Sequence, residues 1–106
     1  MAALVYTSWP DARSAQDAAR ILVDERLAAC VNIVPDVCSV YRWEGTVQEE
    51  NEVLMFVKTA QAQLAALREK LLALHPYDLP AFSVLQIDEA ASHGPYLDWL
   101  RQESQP

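Results

Sequence analysis

Glycine is nearly absent from the sequence, which contains only Gly45 and Gly94 among 106 residues. A P-loop needs several glycines within one short phosphate-binding segment, so this class of nucleotide site is excluded. The Gly-x-Ser-x-Gly, Cys-x-x-Cys and His-Glu-x-x-His motifs are absent as well. Because no set of catalytic residues can be named, we predict a protein that is not an enzyme and needs no organic cofactor.

Basic residues are few, with eight Lys and Arg against fifteen Asp and Glu and a formal net charge of −7. Proteins that follow a phosphate backbone need clustered Lys and Arg, so the composition argues against nucleic-acid partners. No apolar run approaches the ~20 residues of a membrane-spanning helix. The first residues lack the basic and apolar segments of a signal peptide. We therefore predict a cytoplasmic protein without a membrane partner.

Cysteine occurs only as Cys30 and Cys38. On one continuous strand the two residues would lie ~26 Å apart, at ~3.3 Å per residue. A disulfide requires Cα atoms within roughly 4.4–6.8 Å of each other. We expect both thiols to be reduced, as is usual in a reducing compartment.

Hydrophobic residues, in contrast, make up 52% of the chain, slightly more than is usual for a globular domain. A domain of this length has only a modest core. Some apolar surface should therefore remain after the core is filled, and self-association is the expected way to cover it.

The pattern of apolar residues and helix breakers predicts alternating strands and helices. Apolar or β-rich runs predict strands at Leu4–Ser8, Cys30–Trp43 with an interruption at Pro35-Asp36, Val53–Val57 and Phe82–Ile87. Helical spacing predicts two amphipathic helices, capped by Ser14 and Thr59, and Pro95 predicts the first turn of a short third helix.

The order β-α-β-β-α-β plus a C-terminal helix is that of the ferredoxin-like split βαβ fold, an α+β architecture with two helices on one face of a four-stranded sheet. We predict a single domain over residues 1–106. The second strand lies at an edge in this topology, and Pro35 is typical of an edge strand or a bulge. A long edge that is rich in β-forming residues favours pairing with another chain.

His75 and Cys30 are the candidate metal ligands. His75 follows the second helix, where it would cap the last carbonyls or bind a metal. Cys30 would be a small buried hydrophobe or a soft ligand for copper. One cysteine and one histidine do not complete a tetrahedral site, but a homotrimer would bring three copies of one side chain to its axis.

Four aromatic or charged residues at element ends are candidates for a ligand site: Trp43, Glu44, Lys58 and Tyr77. In a structural interpretation, Trp43 packs and Glu44 pairs with a basic residue. In a functional interpretation, the four converge at a cleft between subunits, where Lys58 and Tyr77 bind an anionic or polar small molecule. The acidic run Glu49–Glu52 is typical of a solvated hairpin end that discourages wrong edge pairing, and a hard-cation site is the alternative.

These segments resemble the CutA divalent-cation-tolerance family over nearly the whole chain. The resemblance rests on Thr7, Pro10-Asp11, Leu27–Ile33, Pro35, Ser39, Tyr41, Trp43-Glu44-Gly45, Glu52, Lys58-Thr59, His75-Pro76-Tyr77, Pro80, Tyr96-Leu97 and Trp99.

The resemblance implies a ferredoxin-like subunit in a tight homotrimer, similar in shape to the PII-like signalling proteins, with no established enzymatic activity. It implies a cytoplasmic protein linked to tolerance of copper and other divalent ions. Cys30 and His75 match the family's cysteine and histidine. Thr7 and Leu74 replace the further cysteine and histidine that some members have there.

Two functions compete on this basis. The first is homeostasis of divalent metal ions, by binding copper or a similar metal. The second is a PII-like signalling or small-molecule-binding module that uses the clefts between subunits. A role of the trimer as a very stable scaffold is a third possibility.

Overall fold

The computed structural model describes residues 1–106 and has the predicted order of strands and helices. The elements are β1 (Ala2–Trp9), α1 (Ala12–Asp24), β2 (Cys30–Trp43), β3 (Thr46–Ala60), α2 (Leu64–Leu74), β4 (Ser83–Gln86) and α3 (Gly94–Glu103). A single 3-10 turn at Gln61–Gln63 precedes α2. None of the helices combines the length and apolar composition that are needed to cross a bilayer.

The four strands form one antiparallel sheet in the order β2-β3-β1-β4. This order confirms the ferredoxin-like prediction and the position of β2 at an edge. The β2–β3 register shifts between Val34 and Val37, and Asp36 has a φ of 58°. Pro35 and Asp36 therefore form a bulge in an edge strand, where a missing backbone donor is tolerated.

The main core lies between the sheet and the two longer helices. Alternate residues of the central strands point into it, because successive side chains of a strand face opposite sides. The strands contribute Val5, Trp9, Val53, Met55 and Val57, and the helices contribute Ala15, Ala18, Ala19, Leu22, Leu67 and Leu71. The small alanines allow α1 to lie close to the sheet.

The opposite face of the sheet is covered at one end only. There α3 packs Leu97 and Leu100 against Ala2 and Ala29. Further along the same face, Leu4, Tyr6, Leu54 and Phe56 are half-buried side chains with no helix over them. The middle of this face is therefore apolar and open to a further layer.

The predicted helix caps are wrong in two cases. Asp11 is the N-cap of α1, and its Oδ1 accepts a hydrogen bond of 2.7 Å from the backbone N–H of Ser14. Thr59 is a buried residue of β3 whose Oγ1 donates to the carbonyl of Leu27 at 2.8 Å. Strand pairing with β1 extends β3 beyond the predicted end, so α2 begins only at Leu64. Pro95 lies in the first turn of α3, as predicted.

The β2–β3 hairpin extends well beyond the two-layer body, and the molecule is 44 Å long in its largest dimension. Its tip is a two-residue turn in which Glu44 and Gly45 have φ values of 49° and 80°. Two successive residues with positive φ are characteristic of the type I′ turn, which matches the twist of the two strands.

Candidate functional site

His75 lies in a polar cluster at the end of β1. The residue is 8% exposed, and its ring stacks on that of Trp9 with centroids 4.1 Å apart. Its Nδ1 accepts a hydrogen bond from the backbone N–H of Tyr77 at 3.1 Å. Since Nδ1 is the acceptor, the proton of the neutral ring is on Nε2, which donates to the carbonyl of Ser8 at 2.7 Å. Both ring nitrogens are therefore engaged.

Tyr77 connects this histidine to a buried carboxylate. Its hydroxyl donates to Oε2 of Glu52 at 2.7 Å, and its ring centroid lies 4.9 Å from that of His75. Glu52 is only 8% exposed and has no Lys or Arg within the 4.0 Å of an ion pair. Burial and the Glu52 carboxylate raise the pKa of Tyr77, so the phenol remains a proton donor.

Glu52 was not among the predicted site residues. The acidic run that contains it was predicted to be solvated, and this prediction is wrong for Glu52, which is buried and accepts a hydrogen bond from the Tyr77 hydroxyl. The two residues are 25 positions apart, so no local pattern connects them. The one available signal was the position of Glu52 next to Val53, at the start of the buried part of β3.

Lys58 and Cys30 lie at the other end of β3, on the face that α3 partly covers. They are directly opposite each other in the β2–β3 register, and both are half-buried. The Lys58 ammonium donates to the Tyr96 hydroxyl at 3.2 Å and lies 5.4 Å from the centroid of that ring. Tyr96 stacks on Trp99, with centroids 5.7 Å apart.

The two predicted metal ligands are not brought together within one chain. Cys30 pairs with Lys58, whereas His75 belongs to the cluster around Glu52. Glu52 and Lys58 are six residues apart on β3, which corresponds to about 20 Å along the strand. No group of three or more His, Cys, Asp and Glu residues in the chain could hold a metal ion. The donors of one subunit therefore do not fit a complete metal site, which would need ligands from other subunits.

The four predicted ligand-binding residues also lie in separate places. Trp43 and Glu44 are at the hairpin tip, where Trp43 pairs with Thr46. Lys58 is twelve residues further along β3, or about 40 Å for an extended strand. Tyr77 contacts Glu52 between these two ends. One site that contains all four would have to be assembled from different subunits.

The sheet order and the two helices on one face of the sheet define a ferredoxin-like domain, and the comparisons with known proteins identify its family. The family model described as "CutA1 divalent ion tolerance protein" matches residues 3–103. The chain belongs to this family, so the resemblance noted in the sequence is confirmed.

Individual relatives agree with this assignment. The divalent-cation tolerance protein CutA of Thermus thermophilus is 45% identical over 104 residues, which are 98% of this chain and 99% of that protein. Its solved structure has a TM-score of 0.94 and covers 99% of this chain and 100% of that one. A structure described as the PII-like protein CutA from Nostoc is 36% identical with a TM-score of 0.91, covering 97% of each chain.

The human protein CutA is a longer relative. It is 37% identical over 97 residues, which are 92% of this chain and 53% of the human sequence. The chain thus spans about half the length of the human protein.

Proposed function

We propose that the protein is a cytoplasmic homotrimer that contributes to tolerance of divalent metal ions by binding copper or a similar ion. Membership of the CutA1 family supports the link to divalent ions. The observation that carries the binding proposal is the free, half-buried thiol of Cys30. A thiolate is the soft ligand that copper(I) and zinc prefer. Two free cysteines also suit a reducing compartment such as the cytoplasm.

The proposed homotrimer is supported by apolar surface that one subunit leaves uncovered. Large hydrophobic side chains are exposed on the β2–β3 hairpin and on β4, namely Val34, Val40, Tyr41, Trp43, Val47, Val84 and Leu85. Both β2 and β4 are edge strands with unpaired backbone groups. Pairing of these edges with other subunits would bury this surface and satisfy those groups.

In such a trimer, the metal ion would be held by the Cys30 thiols of different subunits. His75 is the second proposed ligand, but it belongs to the cluster around Glu52, which lies six residues, or about 20 Å, along β3 from the Lys58 that pairs with Cys30. It would bind a metal only after giving up the hydrogen bond from the Tyr77 amide. We therefore expect Cys30 and His75 to act independently, with Cys30 as the stronger ligand.

Calorimetric titration of the reduced, metal-free protein with Cu(I), Cu(II) and Zn(II) tests this proposal, with light scattering as the measure of the assembly. We expect saturable binding by a trimer that Cys30→Ser removes. Cys38→Ser is the matched control, because Cys38 is an exposed thiol on the same strand. Unchanged binding in a Cys30→Ser/His75→Asn double variant, or no binding by the wild type, would contradict the assignment.

The second candidate function is a PII-like module that binds a small molecule in the clefts between subunits. It is supported by the half-buried Lys58, which has no carboxylate partner in its own chain. In this function Trp43 and Glu44 of one subunit would approach Lys58 of another. Tyr77 lies about 20 Å along β3 from the Lys58 of its own chain, so it would have to come from a third subunit. A metabolite that raises the melting temperature of the wild type, but not of a Lys58→Ala variant that stays trimeric, would support it.

A further inference from the structure

Lys58 differs from every other partly buried cation in the chain. Three Lys or Arg residues are half-buried, namely Lys58, Lys70 and Arg101. Lys70 pairs with Glu25 at 3.3 Å, and Arg101 pairs with Glu89 at 2.8 Å. Lys58 has no carboxylate within 4.0 Å, although the chain carries a net charge of −7. Since Lys58 is the one half-buried cation without a carboxylate partner in its own chain, an anionic partner from outside the chain is expected.

Lys58 and Tyr96 form a hydrogen-bonded pair, and the N–H and O–H groups that this bond does not use are all donors. An ammonium group can only donate, so in the 3.2 Å contact the phenol oxygen is the acceptor. The Tyr96 proton and the remaining ammonium protons have no acceptor in the chain. A group of donors without an acceptor is complementary to an oxyanion, which has several lone pairs and a negative charge.

The surroundings of the pair suit a small organic anion better than a hydrated ion. Lys58 is flanked in the sheet by Leu4 on one side and Cys30 on the other. The stacked rings of Tyr96 and Trp99 are 39% and 42% exposed and form an adjacent apolar surface. Polar groups that fix orientation beside apolar surface are typical of small-molecule sites.

We propose that Lys58 and Tyr96 form a binding site for the oxyanion of a small molecule, a carboxylate or a phosphate. The inference deepens the second candidate function, on which it rests, by naming the chemical class of the ligand. It also replaces the predicted pairing of Lys58 with Tyr77 by a pairing with Tyr96. Tyr77 is bonded to Glu52 and is not part of the anion site.

Succinate and inorganic phosphate serve as probes, with sodium chloride at equal ionic strength as the reference. Their affinities are measured by calorimetric titration of the assembled protein. Lys58→Met keeps the side-chain length and removes the charge, and we expect it to weaken binding at least ~10-fold. Tyr96→Phe keeps the ring and removes one neutral donor, for which about a fivefold loss is expected. The stronger of the two probes identifies the carboxylate or the phosphate as the preferred ligand.

Arg68→Met is the matched control, because Arg68 is an exposed cation without a carboxylate partner. If Lys58→Met and Arg68→Met weaken binding of the probes equally, the loss of affinity comes from the change in net charge, and the proposal is overturned. A wild type that binds neither probe beyond the chloride reference would overturn it as well. If Lys58→Met instead changes the mass measured by light scattering and no probe binds, the acceptor is a carboxylate of another subunit and the proposal is wrong. A metabolite whose binding is insensitive to Lys58→Met but is abolished by Trp43→Ala would also overturn this site, while a cleft function based on Trp43 and Glu44 would stand.

Discussion

The hydrogen bond between Tyr77 and Glu52 should stabilise the fold measurably, and Tyr77→Phe removes it without removing the ring. A bond to a charged group contributes about 1.5–3 kcal/mol. Tyr77 is half-buried, so we take the lower end and expect a loss of about 1.5 kcal/mol in the free energy of unfolding. For a domain of this size the loss corresponds to a fall of about 6–12 °C in the melting temperature. The cost arises because Glu52, at 8% exposure, is left without a partner.

Urea denaturation at one fixed protein concentration measures this change, since the stability of the proposed trimer would depend on concentration. Tyr6→Phe is the control, because Tyr6 is half-buried on the same sheet and its hydroxyl makes no hydrogen bond within the chain. Glu52→Leu, alone and combined with Tyr77→Phe, completes a double-mutant cycle, in which the two losses should not be additive. Equal costs for Tyr77→Phe and Tyr6→Phe, or a cost below about 0.5 kcal/mol, would refute the assigned bond.

The two remaining predictions concern pH and a helix cap. Burial lowers the pKa of His75 from 6.5, so the unfolded chain binds more protons than the folded one between the two pKa values. The contribution of the neutral His75 ring to the free energy of unfolding is therefore complete above pH 6.5. This contribution is lost as the pH falls from 6.5 through the pKa of His75 in the folded state. His75→Asn should remove this part of the pH dependence of the unfolding free energy. The same substitution at the exposed His93 should leave it in place. Equal changes of the unfolding free energy with pH in the two variants would contradict the role of His75. Asp11→Ala should cost about 1 kcal/mol in the same assay by removing the bond to the Ser14 amide, and a cost no larger than that of the nearby Asp17→Ala would contradict the cap.

Much of the fold could be predicted from sequence because its signals are local. Hydrophobic periodicity and the breakers indicated the element order, and Pro35 indicated an edge strand or a bulge; β2 is an edge strand with a bulge at that position. The ends of elements were harder to predict. Asp11 and Ser14 are both good capping residues within one turn, and propensity alone does not choose between them. The extension of β3 to Ala60 depends on pairing with Ala2, a contact between distant parts of the chain.

The candidate site could be predicted only as a set of residues, not as an arrangement. The contact of Tyr77 with Glu52 and that of Lys58 with Tyr96 are made between elements that are far apart in sequence. The separation of Trp43 from Lys58 is an exception. The turn at Glu44-Gly45 fixes the hairpin register, so counting residues along β3 already gives about 40 Å. A site that includes both residues therefore implies a second subunit, whatever the details of the fold.

The proposed metal and anion sites are not independent, because Cys30 and Lys58 are direct neighbours across β2 and β3. Residues opposite each other in an antiparallel pair have Cα atoms only about 4.5–5.5 Å apart. A Cu(I) ion held by three thiolates keeps a net negative charge, and the Lys58 ammonium groups would be its nearest counter-ions. A small oxyanion would compete for the same positive charge. By linkage, each ligand then weakens the other by the same factor. Metal tolerance and small-molecule binding would therefore be two alternative states of this end of the sheet.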